Sequence, residues 1–286
     1  MSHMSTRGGR SHPPRREHHW GSHAVLVVYS AIVLLPLLFV IFLSLKDIAG
    51  ILGTPLSLPD KLHFSNYSSA WAKGNLLQLL LNTLLVSVGG VVLILLLSSL
   101  AAFVIARYHF RGNQALYLFF VSGMALPMQL VALPIFLLVR DIGLLNTLWG
   151  LIVVLAAGGM SFSIFLLVNF MRSIPQELQE AATVDGAGPL RIYWHVVLPL
   201  VRPALGIVAI FQFLAIWKEF FLPLILIQDP SRMTVGVGLL NFVGEYSTSW
   251  QFLLAGIVIV SIPTLIGFLA VARQFRRNIM SGAIKM

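Results

Sequence analysis

Residues 76–106 read LLQLLLNTLLVSVGGVVLILLLSSLAAFVIA, and Arg107 closes them. The stretch holds no charged residue. About 20 apolar residues in a helix are enough to cross the hydrocarbon core of a bilayer. The run is continuous and does not alternate with period two, which predicts a membrane helix and excludes a barrel strand. Further runs of this kind lie at 24–45, 115–139, 147–171, 204–227 and 250–272. Pro36, Pro127, Pro134, Pro223 and Pro263 fall within them and read as kinks that neighbouring helices re-satisfy.

Composition agrees with this pattern. The chain has 286 residues, 58% hydrophobic and 10% charged, against about 25% charged in a soluble domain. So much apolar surface has no place in a free-standing soluble enzyme. Cysteine is absent, which excludes disulfides, thiolate metal sites and a thiol nucleophile. The expected fold class is therefore an all-α membrane protein with six transmembrane helices. Its parts are a basic tail over 1–22, expected to be disordered, a membrane domain over 23–272 with a polar excursion at 172–203, and a tail over 273–286. The first run is too long for the apolar region of a cleaved leader and reads as a retained span.

The net charge of +9 needs a reason. With the N-terminus inside, the inner segments carry thirteen Lys and Arg and the outer ones five, with Lys218 inside a span. Basic residues collect on the cytoplasmic side of spans, so both termini are expected there. Topology accounts for the charge, and no nucleic-acid partner is called for. Trp71, Trp149 and Trp250 near span ends fit interfacial anchors.

Residues 172–203 read RSIPQELQEAATVDGAGPLRIYWHVVLPLVRP. Ser173 and Gln176 have capping-box spacing, with Pro175 in the first turn. A short helix is expected over 176–184. Asp185-Gly186-Ala187-Gly188 supplies turn chemistry. A second short helix is expected over 190–197, ended by Leu198-Pro199. Glu177, Glu180 and Asp185 are three of the ten acids of the chain. Acids on the inner face oppose lipid headgroup charge, so a protein partner is favoured for this surface helix–turn–helix. His195 reads as a surface or packing histidine.

Glu180-Ala181-Ala182, three residues, Gly186, nine residues, then Val196-x-Leu198-Pro199 resembles the EAA loop of bacterial ABC importer permeases. Val196 stands where the pattern has Ile. Phe64-x-Asn66-Tyr67, Asn82-Thr83, Ala106-Arg107 with Phe110 and Gly112, and Gly143-Leu144-Leu145-Asn146-Thr147 resemble the sugar-importer branch in the right order. Residues 281–285, Ser-Gly-Ala-Ile-Lys, resemble the ending of the shorter, MalG-like permease subunit, with Met286 where the pattern has Gly.

The resemblance implies the type I ABC importer permease fold in a bacterial inner membrane. It implies an ATPase-coupling surface of Glu177, Glu180, Ala181, Ala182, Asp185, Gly186, Leu198 and Pro199. It implies docking of the C-terminus through Gly282, Ala283 and Lys285. The implied partners are a second permease subunit, two ATP-binding subunits, an extracytoplasmic solute-binding protein and membrane lipid. The chain has no G-x-x-x-x-G-K-[ST] loop, so no cofactor is expected on it. ATP and magnesium are expected on the partner ATPase, and the chain itself is not expected to be an enzyme.

The translocation path is read from the polar residues of the spans. Lys218 and Glu219 lie in the fifth run, where ionisable groups are expensive unless paired or wet. The family pattern usually shows Asn where Lys218 stands. Gln129 and Asn169 are weaker candidates. An ion-coupled secondary transporter would carry several acids in its spans, and only Glu219 qualifies. A membrane enzyme would need a convergent set of His, Asp or Glu, and none is visible.

Overall fold

The computed structural model describes residues 20–244 and 248–283, with side chains from 23 to 267 outside the internal gap. The expected tail over 1–22 lies largely outside these residues. The chain order is α1 Trp20–Ser44, α2 Ile48–Gly53, α3 Ser65–Lys73, α4 Leu76–Arg107, α5 Asn113–Ser122, α6 Ala132–Asp141 and α7 Leu148–Arg172. Then come α8 Glu177–Val184, α9 Pro189–Ile192, α10 Leu198–Trp217, α11 Phe221–Leu226, α12 Val235–Gly238 and α13 Trp250–Ala283. Among the described residues, five helical stretches are long and apolar enough to cross a bilayer: His23–Ser44, Leu76–Arg107, Leu148–Arg172, Pro189–Trp217 and Trp250–Gly267.

The third apolar run is not one of them, which corrects the expectation of a sixth continuous helix. It forms α5 and α6, joined by a 3-10 turn, Gly123–Ala125, and an irregular stretch holding Pro127. A proline ring clashes with the carbonyl four residues back. Pro127 therefore bars a helix through Gly123, and Pro134 sits in the first turn of α6, where no N–H is missed.

The main core lies where α4, α7 and α10 pack together. Close approach needs small residues, and Gly159 of α7 is the clearest case. A Cβ there would come within 2.5 Å of Ile94 Cδ1 and 2.8 Å of Gln212 Oε1. By contrast, α1 exposes its side chains on all sides from Val25 to Leu38. Lipid or another subunit must cover such a face.

Three short motifs, Asn66-Tyr67, Asn82-Thr83 and Asn146-Thr147, tie down the connecting segments. Asn66 Nδ2 donates to Ser44 O and Lys46 O, both at 2.8 Å, and Tyr67 Oη lies 2.7 Å from Ser44 Oγ. Together they dock α3 against the end of α1. Asn82 Nδ2 donates to Ser231 O and Met233 O, both at 2.9 Å, and Thr83 Oγ1 accepts from Val235 N. Asn146, at φ +58°, accepts from Gln228 N and Asp229 N through Oδ1. Thr147 Oγ1 caps α7 by accepting from Gly150 N. Asp229, on an exposed turn, accepts from the hydroxyl and N–H of Ser231. These bonds, and then Arg232, lower the pKa of its carboxyl.

Candidate functional site

At the α8 end of the bundle, α7 finishes at Arg172 and the chain turns outward. Ser173 does not form the expected capping box. Its hydroxyl donates back to Phe170 O at 2.7 Å, because α7 is still closing its last turn there. The short helix begins at Glu177, so Glu177 and Glu180 sit in its first turn, where the helix dipole favours negative charge. Glu177, Glu180, Ala181 and Val184 fall at helical spacing and are exposed, Val184 by 87%. Ala182 turns the other way and packs against the core.

The end of α8 is a Schellman motif. Ala187 N donates to Ala182 O at 2.9 Å and Gly186 N to Thr183 O at 3.0 Å. Gly186 takes the left-handed position at φ +77°, with Asp185 just before it. The motif residues therefore have plain physical duties. Ala182 is the small inward contact, Gly186 makes the turn, and the acids face outward.

The second arm differs from expectation. Leu198-Pro199 does not end it. α9 passes through a π-helical turn, Tyr193–Val197, straight into α10. Leu198 N donates to Tyr193 O across this wider turn, which makes room for the Pro199 ring. Tyr193 is buried, with its hydroxyl 2.7 Å from Ser99 Oγ and its ring 5.3 Å from that of Phe103. Leu198 and Pro199 are half-buried. His195 is an exposed surface residue, its Nδ1 3.1 Å from Arg191 O. The exposed α8 is thus joined through a tight turn to a continuous helix that runs into the bundle.

A second candidate site is a cavity of about 440 Å³ between α7, α10 and the stretch that joins α5 to α6. Its aromatic wall is Phe162 and Phe211, with centroids 5.9 Å apart. Its polar wall includes Gln212, whose Nε2 donates to Gly159 O and Ser163 Oγ, both at 3.0 Å. Glu219 lines one end. Its Oε1 accepts from Phe221 N at 2.9 Å and Leu222 N at 3.2 Å, capping α11.

Of the four residues expected along a path, only Glu219 lines this cavity. Lys218 and Glu219 do not lie inside a helix. α10 stops at Trp217 with Lys218 as an exposed C-cap. Pro223 explains the break, since in a continuing helix its ring would strike the Glu219 carbonyl. Gln129 is exposed in the irregular stretch before α6. Asn169 is exposed near the α8 end, and its Nδ2 donates to Phe165 O of its own helix. Lys285 lies outside the described residues, as do the surroundings of Gly282 and Ala283 at the end of α13. Gln212, Phe162 and Phe211 were not picked out from sequence. A glutamine within an apolar run is the signal that marks the first, whereas phenylalanines in spans are indistinguishable from packing residues.

A bundle of long apolar helices with an exposed acid-bearing helix at one end is the architecture of a multi-pass integral membrane protein. Residues 94–279 match the family described as binding-protein-dependent transport system inner membrane component, and the chain belongs to that family. The diacetylchitobiose uptake system permease protein NgcG of Streptomyces coelicolor is 36% identical over 266 residues, 92% of this chain and 88% of the relative. The melibiose/raffinose/stachyose import permease protein MelC of Bacillus subtilis is 30% identical over 269 residues, 92% of this chain and 97% of the relative. Among solved structures, a bacterial ABC transporter that imports the acidic polysaccharide alginate superposes with a TM-score of 0.76. It is 25% identical and covers 92% of this chain and 99% of its own.

Proposed function

We propose that this chain is one of two permease subunits of an ATP-driven importer for a sugar or oligosaccharide. The observation that carries the proposal is the exposed, acid-bearing α8 held by the Gly186 turn to a helix that enters the bundle. In this role α8 is the coupling helix. Its Glu180 carboxylate accepts a bidentate pair from an arginine in a groove of an ATP-binding subunit. Closure of two such subunits on ATP and magnesium pushes α8. The π turn and Tyr193 pass the displacement to α10 and α4, and the spans change from inward- to outward-facing.

The remaining assignments follow from the same reading. The α8 end faces the cytoplasm, as do both termini, in keeping with the thirteen-to-five distribution of basic residues. The 172–203 excursion is the coupling segment, and α5 with α6 completes the sixth crossing. Gly282, Ala283 and Lys285 dock near the ATP-binding subunits. A second permease subunit supplies the other half of the path, and an extracytoplasmic binding protein delivers the solute.

The 440 Å³ cavity suits a sugar ring. Phe162 and Phe211 offer apolar faces to C–H edges, while Gln212 and Glu219 meet hydroxyls. The carbohydrate class is supported by relatives named for diacetylchitobiose and for melibiose, raffinose and stachyose. The test is ATP hydrolysis by the complex in nanodiscs, with its binding protein, across a panel of sugars. Stimulation by one sugar class is the expected result. Hydrolysis that responds to amino acids or other non-sugar solutes, and to no sugar, overturns the carbohydrate assignment.

A further inference from the structure

A second, larger cavity, about 1060 Å³, opens at the α8 end between the ends of α4 and α7 and the start of α5. Arg107, Arg172 and His109 line it, with Glu177 on the same wall. Arg107 ends α4 and Arg172 ends α7. α7 has 25 residues, about 37 Å at 1.5 Å per residue, against a hydrocarbon core of about 30 Å. Its last residues therefore stand at headgroup level.

The two guanidiniums are only partly used. Arg107 Nη1 donates to Ile174 O at 3.0 Å, while its buried Nε has no partner among the described residues. Arg172 lies over the Tyr117 ring at 5.1 Å and makes no ion pair among the described residues. The N-terminal turn of α5, at Gln114 and Ala115, adds N–H groups that lack partners within the helix. Two arginines and a histidine thus line a space that holds a single carboxylate.

We infer that this cavity binds the phosphate headgroup of an anionic lipid. The apolar surroundings favour a lipid over a free phosphate. Ala115 lines the cavity, and Phe119, one turn along the same face of α5, is 71% exposed. Phe110 also lines the cavity and is 43% exposed. An acyl chain has an apolar track leading away from the headgroup along α5. Because Ile174 and Glu177 belong to the link into α8, the bound headgroup braces the root of that helix. The inference rests on the residues around the ends of α4 and α7 and the start of α5, and stands apart from the sugar assignment.

The test is native mass spectrometry of the complete complex, released from nanodiscs holding equal phosphatidylglycerol and phosphatidylcholine. Selective retention of phosphatidylglycerol is expected. It should fall about fivefold for each arginine removed, in Arg172→Gln and then in Arg107→Gln with Arg172→Gln, and recover in Arg172→Lys. Arg172 is exposed, so its single variant keeps the test valid if the double variant fails to fold. Equal retention of both lipids, or retention unchanged in Arg172→Gln, overturns the inference. Displacement by millimolar glycerol 3-phosphate assigns the site to a free phosphate and overturns the lipid. Retention by the permease pair alone that vanishes once the ATP-binding subunits are added assigns the space to a protein carboxylate and also overturns it. Sugar-stimulated ATP hydrolysis in the same preparations reads the transport function separately.

Discussion

Replacing Gly186 separates backbone strain from side-chain crowding at the coupling turn. The residue sits at φ +77° with nothing within 4 Å of where a Cβ would stand. A larger side chain meets no obstacle, so the whole penalty is conformational. An L-residue in the left-handed region costs about 1–2 kcal/mol, less for asparagine and most for a β-branched residue. α8 buries none of its residues. Little packing opposes release of the strain, so the turn opens and does not bear it. A loss of 1–2 kcal/mol lowers the population of the closed turn by about 5- to 30-fold.

Coupling should follow in the order Gly, Asn, Ala, Val. The assay is solute uptake divided by solute-stimulated ATP hydrolysis in proteoliposomes, with membrane insertion checked separately. Gly186→Asn should stay near the native ratio, and Gly186→Val should lose most of it. An unchanged ratio in Gly186→Val refutes the account of the turn. Equal loss in Gly186→Asn and Gly186→Val refutes the attribution to φ.

Other perturbations have defined outcomes. Glu180→Lys reverses the exposed charge on α8 and should abolish stimulated hydrolysis and uptake while leaving insertion intact, as read by the same assay. Glu219→Ala removes the cap from two N–H groups and should lower stability by about 0.5–2 kcal/mol, whereas Glu219→Gln keeps an acceptor and should retain the thermal midpoint. Asn82→Ala leaves Ser231 O and Met233 O without their donor, and should speed hydrogen exchange over 231–235. The Asp229 carboxyl has a lowered pKa in the fold, so its contribution is present at neutral pH and lost as pH falls through the lowered value. Asp229→Asn should flatten that acid limb in the exchange of the Ser231 amide.

The membrane helices are legible because apolar length alone specifies them. Residues 76–106 need no tertiary knowledge to be read as a span, and α4 begins and ends within a residue of that run. The acidic helix and its Gly186 turn are legible for a local reason also, since propensity and turn chemistry act within a few residues. The failures have a common cause. The break in the third run leaves only a shallow dip in hydropathy, at Pro127 and Gln129, and a proline in a membrane helix is ambiguous between kink and break. Pro223 acts four residues upstream, at Glu219, inside what reads as one apolar run.

Leu198-Pro199 looks like a terminator until the π turn is seen. That turn carries Tyr193, whose partner Ser99 lies 94 residues away. The clamps on the connecting segments are long-range in the same way. Asn82 reaches Met233 across 151 residues, so sequence reveals the residue but not its duty.

Uptake of labelled oligosaccharide tests the central claim most directly. The complete complex is placed in proteoliposomes with ATP and the binding protein on their proper sides. ATP-dependent accumulation of a sugar, lost in Glu180→Lys with the complex still assembled, is the predicted result. Accumulation without ATP, or accumulation undiminished in Glu180→Lys, contradicts the account.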